Sequence, residues 1–150
     1  MNYIIDGYNV IGKLKAISLS DPEKEEKLQK LIDRLAPGKK DSFHLIFDGH
    51  NHYHPHGSRT TIGRFKISFT ALGESADDYL KHLIETTKSK TNICIVTSDS
   101  EILIEAARKR ILTQRSELFL SNLFKESPSQ KPGAKLSEDE IQYWTKKFSN

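Results

Sequence analysis

The chain carries a single cysteine, a single tryptophan and a single methionine in 150 residues. One thiol, Cys94, excludes an internal disulfide framework and a cysteine-built zinc site, and a reducing, cytosolic setting is the expected one. No stretch approaches the roughly 18 consecutive apolar residues of a membrane span, so no membrane partner is expected. The opening residues Tyr3-Ile4-Ile5 reach Asp6 before an apolar run long enough for a signal peptide has formed. No internal repeat is present. Excess charge of one sign is small as well: 23 basic residues stand against 20 acidic ones, for a net charge of +3, so placement matters more than the total. Together these absences exclude a secreted mini-protein, a membrane protein and a long coiled coil. What remains is a chain of one-domain length with enough apolar residues for one packed core.

Strand-like and helix-like segments alternate along that chain. Tyr3-Ile4-Ile5 is a buried strand ending at Asp6-Gly7, which reads as a turn. Asp21 or Ser20 is placed to cap a helix with Pro22 at its first position. Leu28, Leu31, Ile32 and Leu35 recur along that helix at helical spacing, and Pro37-Gly38 ends it. Phe43 to Phe47 is a second strand, again closed by Asp48-Gly49, and a loop is expected from His50 to about Thr61. Arg64 to Thr70 is a third strand, broken by Gly73. Ser75 caps a helix opening Ala76-Asp77-Asp78. Asn92 to Thr97 is a strand running into Ser98-Asp99, followed by a helix over 101–110 and a short strand at Ile111-Leu112-Thr113. Ser116 is expected to cap a further helix through Phe124. Residues 1–126 form the expected domain. Residues 127–150 are expected to be a linker and a final helix, with Ile141, Trp144 and Phe148 packed back on it. Apolar strands separated by helices predict an α/β fold with a mostly parallel sheet covered on both faces.

In such a sheet all carboxyl ends lie on one edge, where ligands bind. Three strands end in aspartate, at Asp6, Asp48 and Asp99, and Glu74, Asp77 and Asp78 open a helix. Carboxylates that converge repel one another unless a cation or proton is shared. Oxygen-only ligands suit a hard divalent ion, Mg²⁺ or Mn²⁺. Taken singly, each aspartate is also an ordinary strand terminator or helix cap. Asp78 stands three residues after Ser75, the spacing of a capping box, and Asp48-Gly49 has the look of a turn.

At these residues the chain resembles a known family. Tyr3-Ile4-Ile5-Asp6-Gly7-Tyr8-Asn9-Val10-Ile11 is similar to the opening motif of the NYN domain family in its YacP-like bacterial branch. Phe47-Asp48-Gly49, Glu74-Ser75-Ala76-Asp77-Asp78-Tyr79-Leu80 and Val96-Thr97-Ser98-Asp99 are similar to its later motifs, in the same order. The resemblance runs from Tyr3 to about Phe124. It implies a PIN-like three-layer fold and a divalent-metal-dependent endoribonuclease acting on single-stranded RNA. Within that reading, mRNA on the ribosome is the narrower target, and the product ends are 5′-phosphate and 3′-hydroxyl. It places Asp6, Asp77 and Asp99 at the metal, with Asp78 and Asp48 as further metal candidates. Asn9, counted with the catalytic residues, is implied to orient the first strand's loop and to touch metal-bound water or phosphate, while Ser98, Thr97, Ser75 and Glu74 stand behind the acids. The chain departs from the family where relatives often have a glycine before the last strand; here that residue is Arg110, which bears on the local loop shape.

RNA contact is expected from basic and aromatic residues. Between His50 and Gly73 lie Arg59, Arg64 and Lys66 with no acid among them, together with Tyr53 and the alternating His50, His52, His54 and His56. Arg108, Lys109, Arg110 and Arg115 form a second cluster. Both suit phosphate contacts, and Tyr53 suits stacking on unpaired bases. Each is equally a solvated face when taken alone. The histidine run admits a transition-metal reading, but Pro55 and the absence of cysteine favour an RNA-facing loop. His44 is expected in a strand, His82 on a helix surface and Cys94 in the core. Alongside the nuclease stand two other readings. One is an RNA- or ribosome-binding module with little catalysis, and the other is a metal-dependent phosphatase or DNA nuclease.

Overall fold

The computed structural model describes residues 1–36, 38, 40–49 and 55–125. The expectations for His50, Tyr53 and the C-terminal linker and helix therefore lie outside the described residues. Six strands and five helices are described: β1 (Asn2–Asp6), α1 (Gly7–Gly12), α2 (Lys24–Leu35), β2 (Ser42–Phe47), β3 (Ser58–Ile62), β4 (Phe65–Phe69), α3 (Ala76–Thr86), β5 (Ile93–Val96), α4 (Ser100–Arg108), β6 (Leu112–Gln114) and α5 (Ser116–Lys125). They build one sheet in the order β3-β4-β2-β1-β5-β6. Every pairing is parallel except that of β3 with β4.

Side chains on a strand alternate between faces, and here both faces are covered. Ile5, Leu45, Phe47 and Phe65 face a core with Val10 and Ile11 of α1, Leu28 and Ile32 of α2, and Phe119 and Leu120 of α5. Ile4, Ile46 and Ile95 face a second core with Ala76, Leu80 and Ile84 of α3 and Ile102 and Ala106 of α4. Fully burying side chains such as Ile95 or Leu80 stabilises the fold by about 1.5–3 kcal/mol each. The result is a three-layer α/β fold. Cys94 is buried in β5, His44 is buried in β2 and His82 is exposed.

Four expectations change. Asp6-Gly7 is no turn: Gly7 opens α1 directly, and a Cβ there would lie 2.1 Å from the Phe47 ring, so only glycine lets the helix start against β2. Part of the expected 50–61 loop is β3, an antiparallel edge strand whose Arg59 to Ile62 are all exposed. Helix α2 starts at Lys24 without a side-chain cap; Asp21 instead accepts from the Glu23 amide at 2.8 Å. Ser116 is the first residue of α5, and its hydroxyl reaches elsewhere, as described below.

Arg110 takes a left-handed backbone, with φ 62°. Its N–H donates to Ala107 O, and Ile111 N–H donates back to Ala106 O. That wrap satisfies the last carbonyls of α4 in the conformation that usually selects glycine.

Candidate active site

The parallel topology brings the ends of β1 and β5 side by side. Asp6 closes β1, Thr97-Ser98-Asp99 follow β5, and Asp77 sits in the first turn of α3 above them. Asp6 is only 7% exposed. Burial raises its carboxyl pKa to about 6. The Thr97 hydroxyl and, to a smaller extent, the Asn9 amide lower it, while the charges of Asp77 and Asp99 raise it. Asp77 is likewise raised, first by burial and next by Asp99, with Lys81 opposing. Charges drawn from distant parts of the chain, those of Asp77 and Asp99, therefore act on the ionisation of Asp6.

A polar scaffold holds them. Thr97, fully buried, donates its hydroxyl to Asp6 Oδ2 at 3.1 Å and accepts from the Asp99 amide at 3.2 Å. Asp99 also caps α4 by accepting from the Ile102 amide at 3.2 Å. Asn9 Oδ1 accepts from the Ser98 amide at 3.0 Å and from the Ser116 hydroxyl at 2.7 Å. The Ser116 amide donates to Ser98 Oγ at 3.1 Å, and that hydroxyl donates to Glu117 at 2.8 Å. Asn9 thus ties three loop ends together, which makes it a positioning residue.

The other acidic candidates have surroundings of their own, and the charge of Asp78 also raises the Asp77 pKa. Asp78 is engaged in a capping box: its carboxylate accepts from the Ser75 amide at 3.2 Å, and Ser75 Oγ accepts from the Asp78 amide at 3.0 Å. Asp48 lies within electrostatic reach of the Tyr8 hydroxyl. Glu74 lines a cleft on the other flank of α3. Among the described residues no three acidic, histidine or cysteine side chains form a ready-made ion cage. The donor set still suits a hard divalent ion. Its ligands are all oxygens, one buried carboxyl is crowded by two others, and such ions commonly keep several waters in place of protein ligands.

The basic residues divide by edge. Arg59 and Lys66 are exposed on β3 and β4, while Arg115 stands at the carboxyl edge beside Glu117, 3.7 Å away. Arg64 sits at the opposite, amino end of β4. It bonds Asp33 Oδ1 at 3.1 Å and Gly38 O at 2.6 Å and lies over the rings of Phe43 and Phe65. Arg108, Lys109 and Arg110 close α4 at that same amino edge; Arg108 pairs with Glu105 and Lys109 with Glu85. These four are not brought to the acids. Glu117, which the sequence reading passed over, stands on the rim through Ser98 and Lys13. Its signal was an acid just past the carboxyl end of a parallel strand.

A family model for the YacP-like NYN domain matches residues 3–148. Among solved structures, a mutant form of Rae1 (YacP) from Bacillus subtilis is similar with a TM-score of 0.63 and 19% identity, over 96% of this chain and 92% of that one. Rae1 (YacP) from the same organism is similar with a TM-score of 0.65 and 21% identity, over 83% of this chain and 74% of that one. At these identities the likeness is one of fold. No curated protein sequence matches the chain.

Proposed function

From the premise that this chain belongs to the YacP-like NYN domain family, we propose that it is a divalent-metal-dependent endoribonuclease acting on single-stranded RNA. The observation that carries the reading is the buried Asp6 carboxyl, crowded by Asp77 and Asp99 at the carboxyl edge of a parallel sheet. Asp6, Asp77 and Asp99 would hold Mg²⁺ or Mn²⁺. When bound, such an ion lowers the pKa of a coordinated water and offsets charge developing on the phosphate. Thr97 keeps Asp6 and the start of α4 in register, and Asn9 fixes the loop that carries Ser98. Arg59 and Arg115, which stand toward that edge, draw the phosphate backbone to it, and Lys66, nearer the entry of β4, extends the basic track along the sheet. mRNA on the ribosome is the narrower substrate within this proposal, and a cytoplasmic setting goes with it. No described helix is long and apolar enough to cross a membrane.

One observation favours a second reading, an RNA- or ribosome-binding module: the acids do not form a ready-made cage among the described residues. Labelled single-stranded RNA separates the two. Cleavage is expected with Mg²⁺ or Mn²⁺ and none with EDTA. Asp99→Asn is expected to abolish cleavage while keeping the fold, because an asparagine still caps α4. Cleavage that persists in EDTA overturns the metal mechanism, and no cleavage with any ion promotes the binding module.

A further inference from the structure

The first turn of α3 has two flanks at the carboxyl edge. Asp77 faces one, toward Asp99. On the other lies a cleft of ≈ 310 Å³ between α3 and the β3–β4 hairpin, lined by Glu74, Tyr79, Arg59, Ser68, Thr70 and His56 among others. Two of its walls are built by close approach. Gly57, at φ +83°, would place a Cβ 2.7 Å from Phe69 O, so glycine lets the chain entering β3 lie against the exit of β4. The Thr70 hydroxyl accepts from the Gly49 amide at 3.0 Å and donates to Glu74 O at 2.7 Å, which pins the loop before α3. Below, Ser68 Oγ and His44 Nε2 are 2.8 Å apart, both residues buried. The Tyr79 ring meets His44 edge-on, with centroids 6.0 Å apart and planes at 89°. Tyr79 is only half-buried and keeps a surface toward the cleft.

The lining of this cleft mixes charges of both signs with hydroxyls and an aromatic ring. Glu74 puts a carboxylate on the wall, which repels phosphate. Arg59 lines the cleft, is exposed, and pairs with no carboxylate among the described residues. His44 adds no cationic charge at neutral pH, because burial and the nearby Lys66 and Arg59 lower its pKa to about 4. The lining thus offers a phosphate one attractive group, Arg59, and one repulsive group, Glu74, and offers a base the Tyr79 ring and the Ser68 and Thr70 side chains. A volume this small admits one unpaired nucleotide and no duplex.

We propose that the cleft is a nucleotide subsite: it takes one unpaired base of an RNA strand whose neighbouring phosphates lie over Asp6, Asp77 and Asp99. Tyr79 packs against the base and Arg59 meets its phosphate. The subsite rests on the nuclease reading and deepens it, because a strand crossing the start of α3 touches both flanks. Such an enzyme requires an extruded or single-stranded base next to the bond it cuts.

The test uses fluorescein-labelled single-stranded RNA of fixed length at low salt with EDTA, so that binding is read without cleavage. A single abasic nucleotide is walked along the strand. For the wild-type chain one position is expected to weaken binding roughly ten-fold, the scale of one base–aromatic contact. Tyr79→Leu is expected to weaken intact RNA by the same factor and to show no further loss at that position. Tyr79→Phe is expected to bind as the wild type does. Abasic strands that bind the wild type equally well at every position overturn the subsite, whether or not Tyr79→Leu folds. So does Tyr79→Leu with unchanged affinity. Cleavage with Mn²⁺ is measured separately, so either result leaves the nuclease reading standing or falling on its own. A position-specific loss without cleavage under any ion keeps the subsite and removes the nuclease.

Discussion

Asp6 is a buried carboxyl crowded by two other acids. Its folded pKa of about 6 lies above the ordinary 3.8, so between those values the folded state binds the proton more tightly than the unfolded one. Stability from this group is present at low pH and is lost as pH rises from 3.8 through 6. At neutral pH the charged carboxyl therefore strains the fold. Asp6→Asn should raise stability at pH 7 by about 1–2 kcal/mol, with little change at pH 3.5. Each tenfold change in proton affinity is worth roughly 1.4 kcal/mol, and residual solvent access at the carboxyl trims the total. Thermal melts at the two pH values check this; an unchanged or lower melting temperature at pH 7 contradicts it. His44 acts in the opposite direction. Its pKa is lowered from 6.5 to about 4, so it costs stability as pH falls through that window. The aspartates at strand ends were legible because the same strand-then-acid pattern recurs. The capping box of Asp78 was equally legible from its spacing to Ser75. Glu117 was not, because Arg115 and Ser116 stand between it and the end of β6, so the strand-then-acid pattern is broken there.

At the scale of elements, nearness in sequence misleads. Arg59, Arg64 and Lys66 look like one basic cluster, yet the hairpin turn puts Arg59 near the exit of β4 and leaves Arg64 and Lys66 at its entry. Arg59 pairs with Ser68 near the exit of β4, whereas Arg64 precedes the entry of that strand and is bound to the C-terminal end of α2. Arg59→Ala with Arg115→Ala should weaken RNA binding and flatten its dependence on salt, by about 0.7 in log–log slope for each phosphate no longer neutralised. Arg64→Ala should leave that slope alone and cost about 1–3 kcal/mol of stability, through the hydrogen bonds and ring packing it removes. Fluorescence anisotropy across a salt series and a urea melt distinguish them; a flattened slope for Arg64→Ala would contradict the assignment. Strand β3 escaped the sequence reading because an exposed edge strand of Ser, Arg and Thr lacks the apolar alternation that marks a half-buried strand. Helix α1 escaped because it has six residues and begins with glycine, a residue more often found in turns.

At the scale of the whole molecule, the decisive feature is the parallel direction of β1, β2, β4, β5 and β6. That direction was legible because Ile4-Ile5 and Ile93 to Val96 are apolar on both faces, which an exposed sheet would not tolerate. It sends every strand end of that set to one edge, so acids 71 and 93 positions after Asp6 come within reach of it. Sequence alone does not say which side of α3 each acid takes, because that depends on how the helix is rolled on the sheet; Asp77 turns toward Asp99 and Glu74 toward β4. The central claim is that Asp6, Asp77 and Asp99 make one cation pocket. Titrating Mn²⁺ against the protein while following the free-ion paramagnetic resonance signal tests it most directly. The account expects the wild-type chain to deplete that signal and each single aspartate-to-asparagine variant, natively folded by circular dichroism, to restore most of it. Depletion equal to wild type in all three variants, or none by the wild type itself, would contradict it.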